Sequence, residues 1–142
     1  TGRVKSQFKL ENGKYVSPAP LEENVKLSQY VEGAVLDGRR MVKTYLIVHP
    51  NMHALKAGLT AANVKFPNDD AEICKDQNVK NWLLAELKTN NMVAPAWKGY
   101  EIAGSIILDH EEWTTDNDLL TPSMKVKLRN LLTKHEDAIN NL

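Results

Sequence analysis

The 142 residues suffice for one domain with a modest core, and fall short of what an enzyme needs to enclose several substrates by itself. Eighteen basic and eighteen acidic side chains cancel, which excludes a global field drawing in nucleic acid or an acidic membrane face, so any anion binding must be local. The single cysteine, Cys74, excludes an internal disulfide and favours a reducing, cytoplasmic setting; the longest apolar runs, Tyr45 to Val48 and Ile106 to Leu108, are far below the about 20 residues of a membrane span, which leaves only peripheral membrane contact.

The chain opens on Thr1-Gly2-Arg3 without an initiating Met and without a signal-peptide pattern, which predicts a processed product or an excised fragment. Val4, Ser6, Phe8 and Leu10 alternate with Lys5, Gln7 and Lys9, and Glu11-Asn12-Gly13-Lys14 then leads to Tyr15-Val16. This predicts a β-hairpin over Val4 to Val16, with Asn-Gly supplying the positive φ of the turn. Pro18-Ala19-Pro20 is a rigid entry to a short helix, with Leu21 and Val25 on one face and acidic residues near the start, where the helix dipole prefers them. Two β-prone runs, Tyr30 to Leu36 and Lys43 to Val48, flank Asp37-Gly38-Arg39-Arg40, a second hairpin signal whose arginines are exposed turn charges or an anion contact.

Pro50 to Ala62 reads as a helix with Met52, Leu55 and Leu59 on one face. His49 and His53 stand four residues apart, but Pro50 interrupts any helix through both and no carboxylate completes a set, so no metal site is predicted. Phe66-Pro67-Asn68-Asp69-Asp70 is a polar break, and Asp76 to Leu87 a helix with Asp76 as N-cap and Val79, Trp82, Leu83 and Leu87 as its stripe. Cys74, just before it and without a base nearby in sequence, reads as a small buried residue. After Pro95 and Gly99, Tyr100 to Leu108 is a strand for the third edge of the sheet.

Thr121-Pro122 predicts a helix start, since Pro costs nothing where the N–H would be an orphan. Met124, Leu128, Leu131, Leu132, His135 and Ile139 then fall at helical spacing, while Lys125, Lys127, Arg129 and Lys134 occupy the other faces. Cations in a first turn oppose the dipole, a local conflict of the kind that marks sites. It suggests an anion pocket in which Lys125 and the helix-start amides meet a phosphate; the competing reading is a solvated basic face.

Asp116-Asn117-Asp118-Leu119-Leu120-Thr121-Pro122-Ser123-Met124-Lys125-Val126-Lys127 resembles the C-terminal signature of long-chain acyl-CoA synthetases, which are adenylate-forming enzymes. One departure is that Leu128 precedes Arg129, where the family usually has Arg directly after the second lysine. At the other end, Gly2-Arg3-Val4-Lys5, Lys9 and Asn12-Gly13-Lys14-Tyr15-Val16-Ser17-Pro18-Ala19-Pro20-Leu21-Glu22 is similar to the hinge and first hairpin of the same superfamily. The resemblance implies that Lys125 contacts the carboxylate and α-phosphate during adenylation, that Arg3 holds the ribose hydroxyls, and that Lys5 is the hinge. It implies that Gly13 lies in a loop entering the site for the thioester half-reaction, with Lys9 and Lys14 as phosphate contacts.

The fold so implied is α+β: a small mixed sheet with an N-terminal β-hairpin, flanked by helices, forming a mobile C-terminal domain. In such enzymes a fatty acid and ATP give acyl-AMP and pyrophosphate with magnesium, and the acyl group then passes to CoA. This chain contains no Gly/Ser/Thr-rich phosphate loop, so ATP and magnesium are expected to sit mainly on a large N-terminal domain of the same enzyme, the fragment alone being inactive. Two alternatives are a ligase loading a carrier protein or other acceptor, and a free-standing α+β interaction module with a basic terminus.

Overall fold

The computed structural model describes residues 7–39, 41–93 and 97–142, which fall into two compact units, Thr1–His110 and Glu111–Leu142. Arg3 and Lys5 lie outside the described residues, as do Val4 and Ser6 of the first predicted strand and Arg40 of the second turn.

In the first unit, β1 (Phe8–Lys9) and β2 (Tyr15–Val16) form the expected antiparallel hairpin, with Phe8 opposite Val16 and Lys9 opposite Tyr15. Helix α1 (Pro18–Val25) follows, then β3 (Val31–Asp37) and β4 (Tyr45–Pro50). Helices α2 (Met52–Ala61), α3 (Asp70–Lys75) and α4 (Gln77–Asn90) lead through a 3-10 turn, Gly99–Glu101, to β5 (Ser105–Leu108). The three-stranded sheet has the order β3-β4-β5, antiparallel between β3 and β4 and parallel between β4 and β5. A parallel neighbour needs a crossover of a dozen or more residues, and the helices α2 to α4 supply it.

Period-two alternation splits the sheet into two faces. Ala34, Leu36, Leu46, Val48, Ile106 and Leu108 join one core cluster with Leu21 and Val25 of α1, Leu55 and Leu59 of α2, Ile73 of α3, and Val79, Leu83 and Leu87 of α4. Val35, Tyr45, Ile47 and Ile107 on the other face are buried too. Helix α4, at 14 residues, would be marginal in isolation; each of its fully buried aliphatics contributes roughly 1.5–3 kcal/mol, so packing rather than propensity holds it. Its start is the expected one, with an Asp76 side-chain oxygen accepting from the N–H groups of Asn78 and Val79.

Several expectations need correction. Pro50 ends β4 rather than starting α2, whose N-cap is Asn51. The polar break before Cys74 hides α3, capped by Asp69, whose carboxylate accepts from Glu72 N–H. Tyr100 and Glu101 turn in a 3-10 helix, so the third strand begins only at Ser105. Glu22 does not serve the α1 dipole: it is buried, and its Oε2 accepts from Leu36 N–H of the outer strand at 2.8 Å.

The β3–β4 connection exposes a different use of glycine from the one expected. Gly38 has no positive φ; a Cβ there would lie 2.9 Å from the Thr44 Cα and 3.1 Å from the Leu10 side chain. Gly38→Ala is therefore expected to destabilise by about 1–3 kcal/mol through overpacking against backbone. Gly99→Ala, where a Cβ meets nothing within 4 Å, should be neutral to stabilising by up to about 1 kcal/mol. Denaturant midpoints of the two variants check this, and equal midpoints would contradict it.

Candidate functional site

Two groups of candidate residues are placed by the structure, one in each unit. In the first, Leu10 is buried and anchors the hairpin, while Glu11 N–H donates to the Met41 carbonyl at 2.9 Å. The turn closes by Gly13 N–H to Leu10 O and Leu10 N–H to Lys14 O, and the Asn12 side chain accepts from Lys14 N–H at 3.0 Å. Gly13 has φ 86°, so its backbone, more than a need for space, excludes other residues; a Cβ would meet only Lys9 at 3.8 Å.

This turn presents Lys9 and Lys14. The Lys9 ammonium stands 5.7 Å from the ring centre of Tyr15, an exposed aromatic, and the Lys14 ammonium 5.9 Å from that of Tyr100. Lys98 approaches the same Tyr100 ring at 5.9 Å. Among the described residues, none of these three lysines is within ion-pair reach of a carboxylate. Lys98 and Tyr100 escape sequence reasoning because Tyr100 reads as the start of a strand and Lys98 as part of the turn before it; the structure places Tyr100 in the 3-10 turn and Lys98 at its N-cap, where Glu101 Oε1 accepts from Lys98 N–H at 2.8 Å and Glu101 O from Thr44 Oγ1 at 3.0 Å. The result is a cationic, aromatic patch suited to phosphate oxygens.

In the second unit, Thr121-Pro122 does not start a helix. Met124 N–H donates to Thr121 O at 2.8 Å, a β-turn with Pro in its second position, and Thr121 N–H donates to Lys125 O at 2.7 Å. Leu120 and Val126 pair as an isolated antiparallel bridge below this turn. Lys125 N–H donates to Thr121 Oγ1 at 3.1 Å, and Met124 takes φ 67°. Helix α5 begins at Leu128 and runs to Lys134, followed by α6 (Glu136–Asn140). Met124 is exposed rather than part of a buried helix face. Lys125 is therefore displayed by a tight loop and not by a first helical turn, so for this residue the conflict with the dipole disappears, and with it the pocket of helix-start amides around it, while Lys127 and Arg129 stand at the start of α5. Lys127, the N-cap of α5, pairs with Asp118, whose carboxyl this lysine holds below the usual carboxylate range. Lys125 has no such partner among the described residues.

Among the described residues no group of three metal-ligating side chains converges, and no helix is long and apolar enough to cross a membrane. His49 Nδ1 lies 2.9 Å from the Asp109 carbonyl, a structural contact at the sheet's end.

No protein-family model matches the chain. Relatives do: it is 33% identical over 141 residues to a fatty acyl-CoA synthetase B of Dictyostelium discoideum, covering 99% of this chain and 20% of that protein. It is 30% identical over 141 residues to long chain acyl-CoA synthetase 4 of Arabidopsis thaliana, covering 99% and 21% respectively. A mouse long-chain-fatty-acid–CoA ligase 5 is 30% identical over 142 residues, with 99% and 20% covered. The chain thus spans about a fifth of the length of the relatives it matches. In fold it is similar to the adenylation domain of a carboxylate reductase from Mycobacterium chelonae, with TM-score 0.75, 19% identity, and coverage of 97% of this chain and 19% of that one. The corresponding domain from Segniliparus rugosus, in complex with AMP and a co-purified carboxylic acid, gives TM-score 0.74 and 18% identity over 96% of this chain and 19% of that one.

Cys74 belongs to neither candidate group. It is buried in the core cluster of the first unit, and burial, with the charges of Asp109 and Asp70 opposed by Lys80, pushes its thiol up to about 12. A thiol without thiolate is inert. The folded chain at pH 8 is expected to resist a disulfide reagent such as DTNB, reacting stoichiometrically only after denaturation; rapid labelling of the native chain would contradict the placement.

Proposed function

We propose that this chain, a relative of the long-chain acyl-CoA synthetases along its whole length, is the mobile C-terminal domain of a long-chain fatty acid–CoA ligase. The observation that carries the reading is the combination of that similarity with Lys125, displayed on a tight loop without a carboxylate partner among the described residues. In the first half-reaction a carboxylate oxygen of the fatty acid attacks the α-phosphorus of ATP and pyrophosphate leaves. Negative charge builds on the α-phosphate oxygens, and a positioned ammonium in a site closed to water stabilises it. In the second, the CoA thiol attacks the acyl carbon of acyl-AMP and AMP leaves. Lys125 must then make room for the incoming thiol, which requires the domain to turn about a hinge, for which Lys5 is our candidate.

The remaining assignments follow the same division. Lys9 and Lys14, joined now by Lys98 and Tyr100, are phosphate contacts of the hairpin side, and Gly13 lets the turn adopt its shape there. Arg3 is our candidate for the ribose hydroxyls. Magnesium and most of the ATP and acyl contacts are assigned to the larger part of the enzyme, which also makes the isolated chain inactive. A cytoplasmic setting, with peripheral contact where the substrate is delivered by a membrane, suits a single buried thiol.

A second reading has one specific observation in its favour: the adenylation domains similar in fold belong to carboxylic acid reductases, one of them described together with a carrier-protein domain. The acceptor would then be a carrier thiol. CoA is preferred because relatives at 30% identity and above are acyl-CoA synthetases, whereas the reductase domains stay below 20%.

In the full-length ligase, Lys125→Ala is expected to slow adenylation on the order of 10²-fold or more, as loss of one oxyanion-type donor does. Thioester formation from supplied acyl-adenylate and CoA should change much less. Lys5→Pro should instead spare whichever half-reaction belongs to the trapped orientation and abolish the other. Separate assays of the two half-reactions decide; a Lys125→Ala variant that slows both equally, or neither, removes Lys125 from the mechanism.

A further inference from the structure

The loop that carries Lys125 is closed at its tip by Thr121 and at its stem by the Leu120–Val126 bridge. The stem is also held by Leu119 N–H and Leu120 N–H, which both donate to the Thr114 carbonyl, at 3.1 and 3.0 Å. A further hold comes from a residue outside the loop, which also leads into it. Asp118 takes φ 64°, a left-handed conformation that costs most residues energy and that Asp tolerates better than others. In this conformation both its carbonyl and its carboxylate meet residues from the far side of the loop. Asn130, on α5, donates its side-chain Nδ2 to the Asp118 carbonyl at 2.7 Å and to Asp118 Oδ2 at 3.1 Å. Lys127 donates its ammonium to Asp118 Oδ1. Beside them Lys127 N–H donates to Leu119 O at 2.8 Å.

On the entering side, the backbone at Asp118 is fixed by a reciprocal pair of bonds. Thr114 N–H donates to Asn117 Oδ1 at 3.0 Å and Asn117 N–H to Thr114 Oγ1 at 3.2 Å, while Asp118 N–H donates to Thr115 O. A strained backbone persists where its surroundings over-determine it. The ion pair is exposed, and such pairs add little to stability. Its value lies in geometry: it ties the two ends of a ten-residue excursion, Asp118 to Lys127, to one helix start.

We propose that Asp118 is a positioning residue for adenylation, which with Lys127 and Asn130 clamps the base of the Lys125 loop so that the Lys125 ammonium is held at the reacting phosphate. The inference rests on the reading of Lys125 given above. The clamp has an electrostatic consequence as well. Neutralising Lys127 leaves Lys125 as the loop's cation without a carboxylate partner among the described residues, so the attraction for a developing negative charge is focused on one ammonium. A displacement of about one ångström at such a group costs on the order of 10²-fold in rate.

The test uses the full-length ligase, four single variants and one double variant. Asp118→Leu removes both carboxylate bonds, and Lys127→Met removes the same ion pair from the other side without touching the backbone at 118. Both are expected to lower the adenylation kcat about tenfold or more with KM for ATP nearly unchanged, because the substrate still binds while the ammonium is misplaced. Asp118→Asn tolerates the left-handed backbone but gives up the charge that holds Lys127, so it should lose about as much as Lys127→Met and less than Asp118→Leu. On a Lys125→Ala background, Asp118→Leu should add nothing further, since positioning acts only through the lysine. Additive losses in that double variant, or full activity of Lys127→Met, overturn the proposal while leaving Lys125 in its role. A silent Lys125→Ala overturns the role of Lys125 itself, and the clamp with it.

Discussion

The first unit depends on β4 being hydrogen-bonded along both edges. Leu46, Ile47 and Val48 are fully buried there, and a buried strand must satisfy every backbone group through its neighbours. One neighbour, β3, arrives by a hairpin; the other, β5, is parallel and arrives only after the crossover that carries α2, α3 and α4. The start of β4 is where the candidate patch is attached. Tyr45, buried at the strand's first position, donates its hydroxyl to Asp37 Oδ2 at 2.9 Å. Thr44, just before it, receives Gly104 N–H on its carbonyl and bonds Glu101 through its hydroxyl. The Lys98–Tyr100 turn therefore inherits its position from the sheet, and the Lys14 ammonium meets the same ring from the hairpin.

What was legible in the sequence was what local chemistry decides. Asn12-Gly13 makes a turn with positive φ because glycine tolerates it, and Asp76 caps α4 because its carboxylate reaches two orphan amides. The pairing of β3 with β4 followed from such a signal, whereas the α+β class was what the family resemblance implied. The failures share a cause: a local signal with two outcomes, decided by tertiary context. Thr121-Pro122 starts helices and also opens β-turns, and the Leu120–Val126 bridge selects the turn. Tyr100 is β-prone, yet the Glu101 cap to Lys98 N–H bends the chain before the strand. Glu22 looked like an exposed partner of a helix dipole; it is buried because an edge-strand amide, that of Leu36, needs an acceptor.

The candidate site was legible in a different way. Lys125 was singled out by a conflict, cations where a helix dipole repels them, and that conflict passed to Lys127 and Arg129 once Lys125 proved to lie on a loop before the helix. The lysine keeps its candidacy for another reason: among the described residues it is a cation without a carboxylate partner, two positions from one whose charge Asp118 neutralises. No spacing rule finds Lys98 or Asp118, because each acquires its place through a turn and a left-handed backbone that distant bonds stabilise. The likeness to a fatty acyl-CoA synthetase covers 99% of this chain and 20% of that relative.

The central claim is that this chain holds a part of a nucleotide site and becomes a catalyst only with the rest of the enzyme. The most direct measurement is calorimetric titration of the chain alone with ATP and magnesium, alongside an assay for acyl-AMP formed from a long-chain fatty acid. The account predicts at most weak, salt-sensitive association through the exposed lysines and no acyl-AMP, because the surface that must enclose the nucleotide lies elsewhere. Tight, magnesium-dependent ATP binding by the chain alone, or acyl-AMP produced by it, would contradict the account.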